Sequence, residues 1–147
     1  CKRTIRRRRT LIIMINADYG NYVHSELTDK IIKCAYKVYN ELGSGFLEKI
    51  YENALMIELR DAGLSAQAQY PVKVYYNGLV IGDYIADIVV ENKVIIELKA
   101  VNNVVKAHEV QLVNYLKATN IEVGLLINFG DQMTIKRKVL TKNQRKS

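Results

Sequence analysis

Three carboxylates and one lysine carry the chemistry this chain offers. Asp87, Glu97 and Lys99 lie in the run Asp87-Ile-Val-Val-Glu-Asn-Lys-Val-Ile-Ile-Glu97-Leu-Lys99, and Glu48 lies upstream in Gly45-Phe-Leu-Glu48-Lys-Ile-Tyr51. Apolar residues alternate around Asp87 and Glu97 as in a strand, a turn and a strand. Val94, Ile96, Leu98 and Ala100 take one face, while Ile95, Glu97 and Lys99 take the other. A strand this rich in Val and Ile is usually buried, where carboxylates are rare unless paired or bound to metal. With Glu91-Asn92-Lys93 as the hairpin loop, antiparallel register sets Asp87 opposite Glu97, their Cβ atoms roughly 4.5–5.5 Å apart. Like charges that close repel unless a cation lies between them. The pattern asks for a divalent metal, with Lys99 beside it.

These residues need elements to position them. From about Glu26, the residues Leu27, Ile31, Ala35, Val38 and Leu42 keep helical spacing, with Ser25 or Thr28 as a cap and Gly43 as the stop. A second helix follows, with Ser44 as candidate N-cap and Leu47, Ile50, Tyr51, Ala54 and Leu55 as its apolar stripe up to Gly63. Glu48 falls in its first turn, where the helix end favours an ionised carboxylate. Tyr51, three residues on, falls on nearly the same face. Residues 70–76 read as a strand with the single proline at its edge, and Asn77-Gly78 as a hairpin turn. The next strand runs over 79–90, with Gly82 as a bulge position. A third helix over 106–118 turns Ala107, Val110, Val113 and Leu116 inward, while Gln111 and Tyr115 share another face. Residues 123–129 read as a buried, parallel strand and 132–139 as an exposed edge strand. The order predicts an α/β sandwich with a mixed central sheet flanked by helices.

At 147 residues and 49% hydrophobic content, the chain reads as one soluble domain. Its formal charge of +7 is unevenly spread. Twelve of the 22 Lys and Arg residues lie in 1–10 and 136–147, so the body between carries ten against 15 acidic residues and is net negative. We expect a basic flexible arm over 1–22, a domain over 23–140 and a basic tail over 141–147. Such ends can attract phosphate backbones, or can simply be solvated. Cys34 sits on an apolar helical stripe and reads as a small buried hydrophobe, in keeping with a reducing compartment. The apolar run Leu11-Ile-Ile-Met-Ile15 is shorter than the roughly 7–15 residues of a signal-peptide core, and no stretch approaches the roughly 20 of a membrane span. The expected setting is cytoplasmic, without a membrane. His24, His108 and Cys34 lack zinc-site spacing. No Walker loop, dinucleotide fingerprint or Ser-His-Asp arrangement is present.

Oxygen ligands with open water positions suit Mg²⁺ or Mn²⁺, which hold substrate phosphates and lower the pKa of a bound water. Lys99 could orient the attacking water, assist its deprotonation or stabilise charge on the scissile phosphate. Gln111 and Tyr115 could contact a nucleic-acid backbone or position the other groups. Tyr51 reads equally as a core aromatic or a site-supporting residue.

At these residues the chain resembles the PD-(D/E)XK nuclease superfamily and, within it, the small bacterial GxxExxY family. Gly45-Phe-Leu-Glu48-Lys-Ile-Tyr51 matches that family's motif in full, and Asp87 with Glu97-Leu-Lys99 looks like the superfamily's catalytic core. Gln111-Leu-Val-Asn-Tyr115 is similar to the QxxxY helix motif of RecB-type nucleases. The resemblance spans roughly residues 25–140. It implies a restriction-endonuclease-like αβββαβ core and Mg²⁺-dependent hydrolysis of phosphodiester bonds, with DNA as the substrate. It also implies metal ligation by Glu48, Asp87 and Glu97, with Lys99 catalytic. A homodimer is compatible with it, because many such enzymes cut both strands as dimers. Ala86 stands where the superfamily motif has proline, a position that shapes backbone rather than chemistry. The alternative is a non-catalytic nucleic-acid-binding or protein-interaction module on the same fold. The residues do not separate DNA from RNA, since no single-strand stacking platform is evident.

Overall fold

A computed structural model describes residues 13–15 and 23–141. The remaining parts of the expected basic arm and tail lie outside the described residues. In chain order the elements are β1 (Ile13–Ile15), α1 (Ser25–Leu42), α2 (Glu48–Asp61), β2 (Ala66–Tyr76), β3 (Leu79–Val90), β4 (Val94–Lys99), α3 (Lys106–Ala118), β5 (Val123–Phe129) and β6 (Met133–Leu140). The six strands form one mixed sheet in the order β1-β6-β5-β4-β3-β2. Strands β4 and β5 run parallel, joined through α3, and every other neighbouring pair is antiparallel. This is the α/β arrangement, with a helix-flanked mixed sheet, that the order of periodic segments predicts.

Alternation along the central strands builds two cores. Val94, Ile96 and Leu98 pack with Ile31, Ala35, Tyr51 and Leu55 beneath α1 and α2. Ile95, on the opposite pleat, packs with Leu112, Tyr115 and Leu116 of α3. Every residue of β5 is buried, as a parallel strand covered on both faces requires. Helix α3 approaches this strand so closely that a Cβ on Gly124 would meet Leu112 Cδ1 at 2.7 Å. Any larger residue at 124 would displace the helix.

Several boundaries and faces differ from expectation. Helix α1 begins after His24, in a left-handed conformation, so neither Ser25 nor Thr28 is its N-cap; Thr28 instead donates to the Ser25 carbonyl at 3.1 Å. Helix α2 starts after Leu47 rather than Ser44. Its buried stripe is Tyr51, Glu52, Leu55, Met56 and Leu59, leaving Leu47 79% exposed. On α3, Val110 faces outward, and Leu112, Val113, Tyr115 and Leu116 face in. Strand β6 is not an exposed edge, because Ile13–Ile15 pairs along it and its last four residues are buried. Three of the terminal basic residues belong to this strand. Arg137 donates to Thr28 Oγ1 at 2.6 Å and to the Val23 carbonyl at 2.8 Å, and Lys138 pairs with Glu109 at 2.6 Å. Lys136 reaches the same carboxylate at 3.8 Å.

One irregularity prepares the site. Ala68 pairs with Ile88 and Tyr70 with Ala86, which leaves Gln69 facing Asp87 with no ladder pairing. Both strands change sides at this level. Ala86 packs in the α3 core, whereas Ile88, two residues on, packs beneath α1 and α2. Likewise Tyr70 and Val72 lie on the α3 side, and Ala66 on the other. A regular strand cannot place residues two apart on opposite faces. Gln69 absorbs the change with φ +56°, a left-handed conformation that costs a non-glycine residue about 1 kcal/mol or more.

Candidate active site

The β3–β4 ladder runs from Val90 and Val94 to Ile88 and Ile96 and stops there. One step further, side chains replace the backbone partners. The Asp87 amide donates to Glu97 Oε2 at 3.1 Å, and the Leu98 amide donates to Asp87 Oδ2 at 2.7 Å. The sequence expectation that Asp87 faces Glu97 is thus met by a reciprocal clamp in which each carboxylate satisfies an amide of the other strand. The clamp uses one oxygen of each group, leaving Asp87 Oδ1 and Glu97 Oε1 available for a further ligand.

The electrostatics of this pair are unfavourable. Glu97 is 6% exposed, and its carboxyl is pushed up to about 8, first by burial and then by the charge of Asp87. The Asp87 amide and the Lys99 ammonium oppose that shift. Burial also raises Asp87, against the Leu98 amide bond, and the charges of Glu52 and Glu48 add to the rise. A half-buried and a buried carboxylate that both resist losing their protons are what a cation would relieve. Their hard oxygen donors fit Mg²⁺ or Mn²⁺. Among the described residues, no three His, Cys, Asp or Glu side chains converge to hold an ion. Asp87 and Glu97 therefore form the close pair, with Glu48 acting from longer range.

Glu48 is the first residue of α2 and is exposed. Its placement depends on the loop before it. Gly43 and Gly45 adopt φ of +69° and +108°, conformations that a side chain at either position would strain. Tyr51 locks this loop from beneath. Its hydroxyl donates to the Gly43 carbonyl at 2.6 Å and accepts from the Phe46 amide at 3.2 Å. The ring is fully buried and stacks on Phe129, with centroids 4.4 Å apart and planes 3° from parallel. The Gly45–Tyr51 motif is therefore a loop lock that presents Glu48, and Tyr51 supports rather than lines the site.

Lys99 ends β4, half-buried, on the pleat shared with Glu97 and in register with Asn128 of β5. On α3, Gln111 Nε2 donates to the Tyr115 hydroxyl at 3.0 Å, and that hydroxyl donates to the Ile85 carbonyl at 3.4 Å. Burial pushes the Tyr115 phenol up to about 12, with further rises from Glu97 and Asp87. The tyrosine thus joins the site to α3 through the segment leading into Asp87. Glu48, Asp87, Glu97, Lys99 and the Gln111–Tyr115 pair are linked at this end of the β3–β4 pair by charge or hydrogen bonds, with Tyr51 set beneath the loop before Glu48.

Sequence reasoning missed two residues here. Glu52, one helical turn after Glu48, is 5% exposed and accepts from Gln69 Nε2 at 3.0 and 3.1 Å and from Lys49 Nζ at 3.1 Å. It ties the strained residue opposite Asp87 to α2. A glutamate on the stripe that turned out to be buried was the available signal, obscured because the stripe was placed about one residue off. Asn128 is 2% exposed and bonds both the amide and carbonyl of Val101 at 2.9 Å, fixing the chain just past Lys99. An asparagine inside the apolar run 123–129 marked it.

A sequence model of the PD-(D/E)XK nuclease superfamily matches residues 25–139. No curated protein matches the chain. A solved structure described as "Crystal structure of SSO0001" is similar at 20% identity and a TM-score of 0.46, over 80% of this chain and 60% of that one. The chain thus spans under two thirds of that protein's length. Among the described residues, no helix is long and apolar enough to cross a membrane. The family match covers the site from Glu48 to Tyr115 and both cores, and by it the chain belongs to the PD-(D/E)XK nuclease superfamily.

Proposed function

We propose that the protein is a divalent-metal-dependent nuclease that hydrolyses DNA phosphodiester bonds, with Gly45–Tyr51 and Gln111–Tyr115 acting as the GxxExxY and QxxxY motifs. The observation that carries this reading is the Asp87–Glu97 clamp, a half-buried and a buried carboxylate held together against their charge. Asp87 and Glu97 would hold the ion, Mg²⁺ or Mn²⁺, with Glu48 completing its outer coordination. Bound there, the ion would polarise a phosphoryl oxygen and lower the pKa of a water. Lys99 offsets negative charge on the phosphate and orients the water that attacks it. Gln111 fixes the Tyr115 hydroxyl, which holds the backbone at Ile85 and with it the approach to Asp87. A cytoplasmic setting and a homodimer that cuts both strands accord with this role.

Cleavage of plasmid and oligonucleotide DNA by the full chain in Mg²⁺ or Mn²⁺ tests the proposal. Activity is expected in the wild type and is expected to be lost in Lys99→Ala and in EDTA. A folded wild type that cuts no DNA in either metal would move the reading to a non-catalytic nucleic-acid-binding module.

A further inference from the structure

Between the β2–β3 hairpin and α3 lies a cleft of about 880 Å³, lined in part by Gln111 and Tyr115 but by none of the proposed metal-holding residues. Its size lies in the range of roughly 300–1,000 Å³ typical of organic-ligand sites. One wall is aromatic and solvent-facing: Tyr75 is 62% and Tyr84 49% exposed. The opposite wall, on α3, carries Lys106, Asn114 and Lys117. The floor is Tyr115, whose ring lies 6.0 Å from that of Tyr84. Tyr115 also bonds Gln111 and the carbonyl of Ile85, two residues before Asp87, so the cleft floor is tied to the strand that carries the candidate site.

We infer that this cleft binds an unpaired nucleic-acid strand, stacking its bases on Tyr75 and Tyr84 and placing its backbone along the lysines of α3, so that the strand is led to Asp87 and Glu97. The inference rests on the nuclease reading and names its substrate form. A duplex keeps its bases stacked on one another and offers a protein mainly phosphates and groove edges, neither of which needs two exposed aromatic faces. An unpaired strand offers both π-faces and phosphates, the combination that single-strand grooves read with aromatic rings and cations. Positive charge along the α3 wall and the tie through Tyr115 to the strand of Asp87 favour this occupant over an apolar protein segment.

The structure explains why the cleft exists. The change of side at Gln69 and Asp87 carries Tyr84 and Ala86 onto the α3 side, and the register shift between Val74 and Tyr75 presents Tyr75 there too. The change of side that sets the acidic site thus also places Tyr84 on the wall, and the register shift adds Tyr75.

Binding measured in EDTA separates this inference from catalysis. The probes are a fluorescein-labelled DNA strand, the same strand annealed to its complement, and RNA of the same sequence, each titrated with the full chain by anisotropy. The single strand is expected to bind more tightly than the duplex. Tyr75→Ala and Tyr84→Ala should each weaken single-strand binding about five- to a hundred-fold while leaving duplex binding unchanged. Tyr75→Phe and Tyr84→Phe should stay close to wild type, because stacking needs the ring and not the hydroxyl. Equal affinity for DNA and RNA strands supports the inference, with the sugar left unread; preference for one identifies the strand. Single-strand binding that survives both alanine variants, or equal losses for strand and duplex, overturns it. If the alanine variants cut duplex DNA normally and bind single strands normally, hydrolysis stands and the cleft does not. If binding follows the tyrosines and no metal supports cleavage, the cleft stands and hydrolysis does not.

Discussion

Glu97 and Glu109 both lie on the α3 side of the sheet, and their surroundings are opposite in sign. Glu109 meets Lys138 at 2.6 Å and Lys136 at 3.8 Å, and the Lys138 bond holds its carboxyl below the usual range. Glu97 meets Asp87, and burial with that like charge lifts its carboxyl to about 8. The first arrangement cancels charge and stabilises the fold. The second stores a conflict, tolerated because the same carboxylates serve two amides where the ladder opens. The partly buried Glu109 has its counter-ions in place and ties α3 to β6. Among the described residues, the Asp87–Glu97 pair has no such close cation partner, which is why the proposed ion is put there.

The largest effect should come from the conflicted pair. Asp87→Asn keeps an acceptor for the Leu98 amide but removes a proposed metal ligand, and is expected to cut the proposed cleavage on the order of 10³-fold, with the thermal unfolding curve preserved. A comparable loss of folded protein would instead assign Asp87 to the scaffold.

The compensated pair should behave in the opposite way. Glu109→Gln leaves the Lys138 ammonium, 5% exposed, without its carboxylate. Calorimetric melting should show a loss of about 3 kcal/mol, or roughly 6–12 °C in Tm, with cleavage per folded molecule unchanged. An unchanged Tm would place that pair among the weak surface bridges.

Glu97 should reverse the usual sign of a mutation. Its folded carboxyl keeps a proton up to about pH 8, whereas in the unfolded chain it is lost near 4.5. Stability from this group is full below about pH 4.5 and is lost as the pH rises toward 8. In metal-free solution Glu97→Gln should therefore be more stable than the wild type at pH 8 and match it near pH 4.5. Urea titrations at the two values check this, and a pH-independent difference would contradict it.

The smallest effect concerns the loop lock. Tyr51→Phe keeps the stack on Phe129 and removes the bonds to Gly43 and Phe46. It should cost about 1 kcal/mol and slow cleavage modestly, through Glu48 alone. No change in rate would mean that the Gly43–Phe46 loop needs no lock to present Glu48.

The sheet and the pairing of Asp87 with Glu97 were legible because period-2 alternation and the 91–93 turn fix register, and register fixes which residues face each other. The strands over 79–90 and 123–129 stand at their expected bounds, as does the helix over 106–118, whose own periodicity is helical. Helix faces were less legible. On α2, Leu47, Ile50, Tyr51 and Leu55 outline one stripe by hydrophobicity, yet packing selects Tyr51, Glu52, Leu55 and Met56. Glu52 qualifies only because Gln69, distant in sequence, reaches its carboxylate. The change of side at Gln69 and Asp87 was hidden, since no residue type there signals a left-handed strand position. The stacking wall was hidden with it: Tyr75 and Tyr84 join Tyr115 only after both strands change sides. Long-range partners decide the sites that local periodicity cannot.

Magnesium titration calorimetry on the full chain at pH 7, in two buffers of different ionisation heat, tests the central claim most directly. We predict binding with net proton release, because a cation between Asp87 and Glu97 displaces the proton that burial keeps on Glu97. Both the binding heat and the proton release should vanish in Asp87→Asn/Glu97→Gln. A folded wild type that binds no magnesium even with DNA present, or a double variant that binds it unchanged, would contradict the account.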